Sequence, residues 1–499
     1  MTRSLLLAAL LVATPAFAGP DSATTAWWKT ATALSDDSME GRDTGSPGHD
    51  RAVAMIAARF KAAKLQPAGD NGGWTQRLSL HEWKVEPAGT SVAIVQPGKT
   101  VPLKFLYDVS LRAGPGLPGR IDAAMVFAGY CSATELGNSV RGKVAVCFGN
   151  RHAGLPLGPA RAAAVATAGA VAMITVDDRE FAVEPPRWPD AYARTIVATD
   201  EAPPAAAIPS FRLNAASFAA LIDGSGHLAS AVLTDGGLSR PLESFALPAR
   251  FTATIRVSER DLASDNVLAL LPGTDPTLAA QVIVVSAHSD GYGHGEPVRS
   301  DDLYNGTFDD AAYVATLIQF ADARRGKGFR RPILFAVFTG EEKGLLGARW
   351  FVRHPTVPKA SLAANINLDG LRPLFPLRSL TMLGMVDSTL AATVQAVAAP
   401  LQIGIHADRE PERGMNQRTD HWAFLQAGIP ATAFIFGYAP RTAEEAIYRN
   451  WVTTRYHCPQ DDPQQPFDAR AAADFNRFFA TLTATLADAT QLPRMVDIP

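Results

Sequence analysis

At five places in this 499-residue chain, acids or histidines stand just past a short apolar run or a tight turn. His288, Ser289 and Asp290 follow the run 281–287, and Asp309 and Asp310 follow the turn Asn305, Gly306, Thr307, Phe308. Glu341 and Glu342 follow 333–340, Asp369 ends the run 364–369, and His457 stands between Tyr456 and Cys458. Two imidazoles and three carboxylate positions can hold two hard-to-borderline divalent ions and leave carboxylates over for proton transfer. That is the inventory of a two-zinc hydrolase.

Taken singly, each feature has a plainer reading. A lone histidine near a strand end is more often structural than a ligand. Asp309 and Asp310 precede the apolar helix 311–323, so ordinary N-capping explains them equally well. The paired glutamates are more diagnostic. Adjacent carboxylates at the exit of a buried strand repel each other and lose hydration unless a cation sits there; the alternative is an exposed loop pair before Lys343. In His288-x-Asp290, the acid two residues on could take the second ring nitrogen of a zinc-bound imidazole and fix its tautomer.

These residues need a scaffold that gathers them. From Asn266 onward strand-like and helix-like stretches alternate, which argues for a sheet wrapped by helices. In such sheets functional side chains collect beyond the carboxyl ends of the strands, where His288, Glu341, Glu342 and Asp369 fall. Residues 19–80 read as helical, with Val53, Ile56, Ala57, Phe60 and Ala63 marking one face of a helix over 50–64. The block from about 120 to 240 differs: strands at 123–128, 143–147 and 171–176 and an Ala-rich helix at 159–168, bracketed by Pro- and Gly-rich stretches. That bracketing suggests an inserted domain.

Composition sets the frame. At this length two or three domains are expected, and 47% hydrophobic with 19% charged residues describes an ordinary globular protein. A formal charge of −3 gives no electrostatic reason to expect nucleic acid or an anionic membrane as a partner. Arg3, the apolar run 5–13 and the small-x-small site Ala16-Phe17-Ala18 read as a secretory signal over 1–18, cut after Ala18. No stretch is long enough to span a membrane, so the mature protein is expected to be periplasmic or secreted. Of three cysteines, Cys131 and Cys147 either pair in an oxidising compartment or sit as buried thiols on neighbouring strands. Cys458 reads as a small buried side chain rather than a reactive thiol.

The motifs together resemble the zinc aminopeptidases of peptidase family M28. The family's H-x-D is similar to His288-Ser289-Asp290, and its G-x-x-D-[ND] turn to Gly306-Thr307-Phe308-Asp309-Asp310. Its T-G-E-E-x-G-L element resembles residues 339–345, its N-[LM]-D resembles Asn367-Leu368-Asp369, and its closing motifs resemble Thr419-Asp420-His421, 428–431 and 456–461. The block 119–240 looks like a protease-associated (PA) insertion, with the peptidase domain in two parts, 19–118 and 241–499. The implied fold is α/β: a mixed, mostly parallel sheet flanked by helices, with a β-rich insertion. The resemblance implies two zinc ions bridged by the Asp309 carboxylate, with the peptide bond from Asp309 to Asp310 typically cis. His288 and Asp369 complete one ion, Glu342 and His457 the other. Glu341 would be the general base acting on a zinc-bridging hydroxide, and Asp290 the partner of the His288 ring. Peptide N-termini would be the substrates.

The chain departs from the family at Gly291, where many members carry a second histidine, and at Tyr313, Thr419 and Cys458. Tyr292, His294 and His421 read as pocket wall or support rather than ligands. Asn305-Gly306-Thr307 is formally a glycosylation sequon, but beside the Asp309 turn it reads as tight backbone geometry. Two rival readings share the architecture: a glutaminyl cyclase with one zinc, and a non-catalytic receptor-like member, which would have lost ligands.

Overall fold

The computed structural model describes residues 21–149, 158–179, 187–203 and 208–496; the expected leader over 1–18 lies outside them. The main sheet is mixed. Across it run Gly404–Ala407, Ser379–Leu383, Ala431–Phe436, Leu362–Asn367, Val282–His288, Ile333–Phe338, Val257–Leu271, Thr75–Val85 and Arg194–Ala198, with the short strand Gln66–Pro67 also on Val257–Leu271. The centre is parallel: Val282–His288 pairs in parallel with both Ile333–Phe338 and Leu362–Asn367, which in turn pairs in parallel with Ala431–Phe436. Both faces are covered, and the alternation of side chains shows it. Ile333, Phe335 and Val337 enter a core with Trp27, Phe60, Leu317 and Phe479, from helices Ser22–Leu34, Pro47–Ala62, Ala312–Arg324 and Ala469–Asp488. Leu334, Ala336 and Phe338 enter the opposite core with Phe351 and Phe424, from helices Leu346–Arg353 and His421–Gln426.

The reading of 19–80 as helical holds for the two N-terminal helices and fails at its end. Thr75–Val85 is a strand that pairs antiparallel with Val257–Leu271, Leu80 facing Leu262. Leu78 and Leu80 are fully buried while Arg77 and Ser79 face out, a two-residue alternation that outweighs the helix-like composition before it.

A second sheet of eight strands runs Lys99–Leu103, Ser91–Gln96, Ser244–Thr254, Arg120–Ala128, Val144–Phe148, Ala172–Val176, Ser210–Leu213 and Val109–Leu111. It reaches beyond the block 119–240 on both sides, because strands within 91–111 and at 244–254 complete it. Conversely Arg194–Ala198, inside that block, leaves it and forms the edge of the main sheet against Thr75–Val85. Cys131 and Cys147 form a disulfide in this region, and Cys458 is a buried free thiol. Among the described residues no helix is long and apolar enough to cross a membrane.

Candidate metal centre

The parallel strands deliver their acids and histidines to one edge. His288 is the last residue of its strand, Glu341 and Glu342 follow Ile333–Phe338 by a short turn, and Asp369 follows Leu362–Asn367. Asp309 and Asp310 do not cap the next helix. They lie in an irregular turn, Thr307–Ala311, with non-helical backbone angles and a cis peptide between them, and the helix starts at Ala312 with Ala311 as its cap. The bland N-cap reading therefore does not apply, and the expected cis bond is present. Gly306 has φ of +60°, and a Cβ there would sit 2.4 Å from the Asp309 carbonyl oxygen, so the turn closes only on glycine. Asn305 is buried and donates to the Ser35 carbonyl, which suits the backbone-geometry reading of the sequon.

Two buried side chains hold that turn. The Arg42 guanidinium, 1% exposed, donates to the carbonyls of Leu34, Ser289, Asn305 and Gly306 at 2.7–2.9 Å. It thereby ties the exit of the His288 strand to the Asp309 turn. Asp461 accepts from the backbone N–H groups of Phe308 and Asp309 at 3.0–3.2 Å, and burial pushes its carboxyl up to about 6. Asp310 accepts from the His288 N–H at 3.1 Å.

Within this frame Asp309 presents its two oxygens in two directions. Oδ1 lies 3.3 Å from His288 Nε2, and Oδ2 lies 3.4 Å from His457 Nε2, which is also 3.4 Å from Glu342 Oε2. These atoms are deeply buried, yet His288 Nε2, Asp309 Oδ2 and Glu342 Oε1 have no hydrogen-bond partner among the described residues. Orphaned polar atoms facing one another are costly. A tetrahedral zinc with bonds of about 2.0–2.1 Å sets its ligands about 3.3–3.4 Å apart, so the observed gaps fit a shared ion. The residues group two ways within ligating reach: His288 with Asp309 and Glu342, and His288 with Asp369 and Asp310. Asp310 is thus a rival to Asp309 on the His288 side, although one of its oxygens is already engaged by a backbone N–H.

The electrostatics point to missing positive charge. Burial pushes Glu341 well above the carboxylate range; His288 opposes this, and Asp369 and Glu342 add to the push. Burial likewise raises Glu342 to about 7 against the pull of His457. Asp309 goes the other way, held low by His288, His457 and Arg372 despite its burial. Several carboxyls pushed towards neutrality around one ionised carboxylate form a cluster that a dication would relieve. Asp420, fully buried with neither oxygen hydrogen-bonded among the described residues, belongs to the same field.

The expected supports are placed with one refinement. The His288 Nδ1 lies 3.1 Å from the Asp290 backbone carbonyl and 3.7 Å from its carboxylate. That carboxylate instead accepts from the Glu341 N–H and the Thr44 hydroxyl, both at 3.0 Å. His421 is fully buried, with Nε2 facing Asn416 and Nδ1 facing Thr419, and the His294 side chain is 57% exposed; neither joins the cluster. Sequence reasoning missed Arg372, buried 3.6 Å from Asp309 with its guanidinium 4.8 Å from the Trp451 ring and 5.1 Å from the Tyr456 ring, and Tyr192, whose hydroxyl meets His457. Nothing local in the sequence marks either one. A cavity of about 920 Å³ opens over Glu341, Glu342 and His457, and the second sheet contributes Ser110 and Arg212 to its wall.

Residues 266–483 match the sequence model of Peptidase family M28. A vacuolar membrane protease from Lachancea thermotolerans is 26% identical over 187 residues, 37% of this chain and 18% of that protein; the chain thus spans under a fifth of that curated relative. Among solved structures, an aminopeptidase from Aneurinibacillus sp. strain AM-1 aligns with a TM-score of 0.60 at 18% identity, over 95% of this chain and 96% of its own. A zinc aminopeptidase from Bacillus subtilis gives 0.59 at 16% identity over 94% and 96%. A peptidase M28 precursor from Shewanella amazonensis gives 0.55 at 15% over 95% and 98%. At these identities what is shared is the fold.

Proposed function

We propose, from the premise that residues 266–483 of this chain belong to peptidase family M28, that it is an exported, two-zinc aminopeptidase. One observation carries this reading: the two oxygens of Asp309 face His288 and His457 at 3.3 and 3.4 Å, with buried atoms on both sides that have no hydrogen-bond partner among the described residues. His288, Asp309 and Asp369 would hold one zinc, and Asp309, Glu342 and His457 the other. When bound, the zincs supply an acidified water and a Lewis-acid pull on the substrate carbonyl.

The chain's own groups do the rest. Glu341, 4.0 Å from His288 Nε2, takes the proton from the attacking water and returns it to the departing amine. The buried carboxylates suit the free ammonium of a peptide N-terminus, which makes an exopeptidase the natural reading. The second sheet, built from strands inside 119–240 and on both sides of that block, serves as a PA-like unit that walls the cavity. Export is supported by the leader-like sequence over 1–18 and by the Cys131–Cys147 disulfide, which suits an oxidising compartment.

The deciding experiment measures zinc per chain together with release from a panel of aminoacyl-nitroanilides, with chelator and zinc add-back. The expected result is two zincs and chelator-sensitive release. One zinc at saturation with activity on N-terminal glutamine would replace this reading with the cyclase. Failure to hold zinc, together with no turnover of any peptide, would replace it with a binding module.

A further inference from the structure

The loop that carries His457 is held partly by the segment that joins the two sheets. His457 lies after helix Ala443–Thr454, outside any strand, with φ of +52°. Such a ring needs side chains to fix it. Tyr456 stacks on one face at 3.7 Å between centroids. The nitrogen away from the acid cluster, Nδ1, meets the Tyr192 hydroxyl at 2.8 Å, whereas the Tyr292 hydroxyl lies nearly midway between the two nitrogens, 3.2 Å from Nδ1 and 3.3 Å from Nε2. Nε2 faces Asp309 and Glu342 at 3.4 Å each.

Tyr192 comes from the segment that joins the two sheets. Trp188, four residues before it, is fully buried in the core of the second sheet. Arg194, two residues after it, is 6% exposed at its side chain and is gripped by Glu82 and Asp43. The Tyr192 ring packs edge-on against Tyr292 at 5.5 Å, and the Arg112 guanidinium lies 5.6 Å from its centre. The phenol is therefore clamped from both sides while its hydroxyl points at His457.

An imidazole that ligates through Nε2 carries its proton on Nδ1 and needs an acceptor there. That acceptor is commonly a carboxylate or a carbonyl. A phenol oxygen orients the ring and sets the tautomer without adding negative charge to a cluster already crowded with carboxylates. We propose that Tyr192 is a positioning residue for His457, so that the segment joining the two sheets completes the metal site rather than only walling the cleft above it. The proposal rests on the reading of His457 as a zinc ligand.

The test is a chelator-competition titration with zinc alone on the full-length protein, comparing Tyr192→Phe, Tyr292→Phe and His457→Ala with the wild type. Loss of such an outer partner typically weakens metal affinity about 10–100-fold. Tyr192→Phe keeps the packed ring and should weaken one of the two zincs by that factor, leave the other unchanged, and leave the unfolding midpoint of the metal-free protein where it was. Tyr292→Phe, at the longer distance, should weaken the same zinc less. Wild-type affinity at both zincs in Tyr192→Phe would overturn the proposal, as would a larger loss in Tyr292→Phe. If His457→Ala itself still binds two zincs normally, the ligand assignment has failed instead, and the two failures are told apart. A Tyr192→Phe that loses both zincs and its unfolding midpoint together would also overturn it, in favour of a general structural role.

Discussion

The two sheets share a device and use it differently. Each has a parallel run of strands, and in each the carboxyl ends of those strands carry polar residues. In the second sheet these groups find partners of their own. Asp177, after Ala172–Val176, pairs with Arg212 at 2.7 Å. Asn214, after Ser210–Leu213, accepts from the Ala216 N–H and donates to the Tyr107 carbonyl. In the main sheet the corresponding groups, His288, Glu342 and the nearby Asp309, have buried atoms with no hydrogen-bond partner among the described residues. Partnered strand ends read as structure and orphaned ones as a site. The lesson is that position at a strand's carboxyl end is not enough; the unsatisfied atoms make the distinction.

That comparison can be broken at several points, beginning with the largest effect. Asp309→Ala should lose zinc and take peptidase activity to background, read by metal analysis and nitroanilide release. Retained zinc would mean that the Asp309 side is not the bridge, and Asp310 would become the better candidate. Glu341→Ala should keep both zincs while kcat drops about 10²–10⁴-fold, the usual share of a general base. Near-normal turnover would remove it from the chemistry. Arg42→Met removes a buried guanidinium that donates to four carbonyls and should destabilise the metal-free protein by about 3–5 kcal/mol in urea unfolding.

A pH test follows from His49, which is fully buried between the hydroxyls of Ser264 and Ser289 behind the His288 strand end. Burial lowers its imidazole to about 4 from the ordinary 6.5. Between those values the unfolded chain takes up a proton that the folded chain refuses. Stability from the neutral ring is therefore full above pH 6.5 and is lost as pH falls towards 4. Relative to His49→Gln, the wild type should lose about 3 kcal/mol across that window; a constant difference would show that the ring is not held neutral. The smallest effect belongs to the second sheet. Asp177→Asn should cost at most about 1 kcal/mol and leave zinc content and turnover untouched. A loss of activity there would erase the contrast between the sheets.

Much of this arrangement was legible because the informative residues sit beside local signals. Apolar β-branched runs mark the strands, and the acids and histidines follow them directly. The amphipathic spacing over 50–64 marks a helix that the structure places at Pro47–Ala62. What escaped was long-range. Arg42 reads as one more residue of a glycine-rich loop, and its partners Ser289, Asn305 and Gly306 lie some 250 residues away. Tyr192 and His457 are separated by 265 residues. The strand Thr75–Val85 escaped for a different reason. Its alternation is interrupted by Glu82 on the buried side, which is 2% exposed and answered by Arg194 and Arg260. A buried acid breaks the apolar pattern unless its distant counter-charges are known.

The return of Arg194–Ala198 to the edge of the main sheet has an evolutionary and practical consequence. The chain crosses from one sheet to the other and back in mid-course, like a lacing thread, so neither sheet is a detachable cassette. A deletion joining residue 118 to residue 241 would strip the edge from Thr75–Val85 and remove Arg194 from Glu82. Lineages that carry this lacing would have to gain or lose the second sheet together with a strand of the first, and grafting either sheet alone onto another scaffold would leave a raw seam.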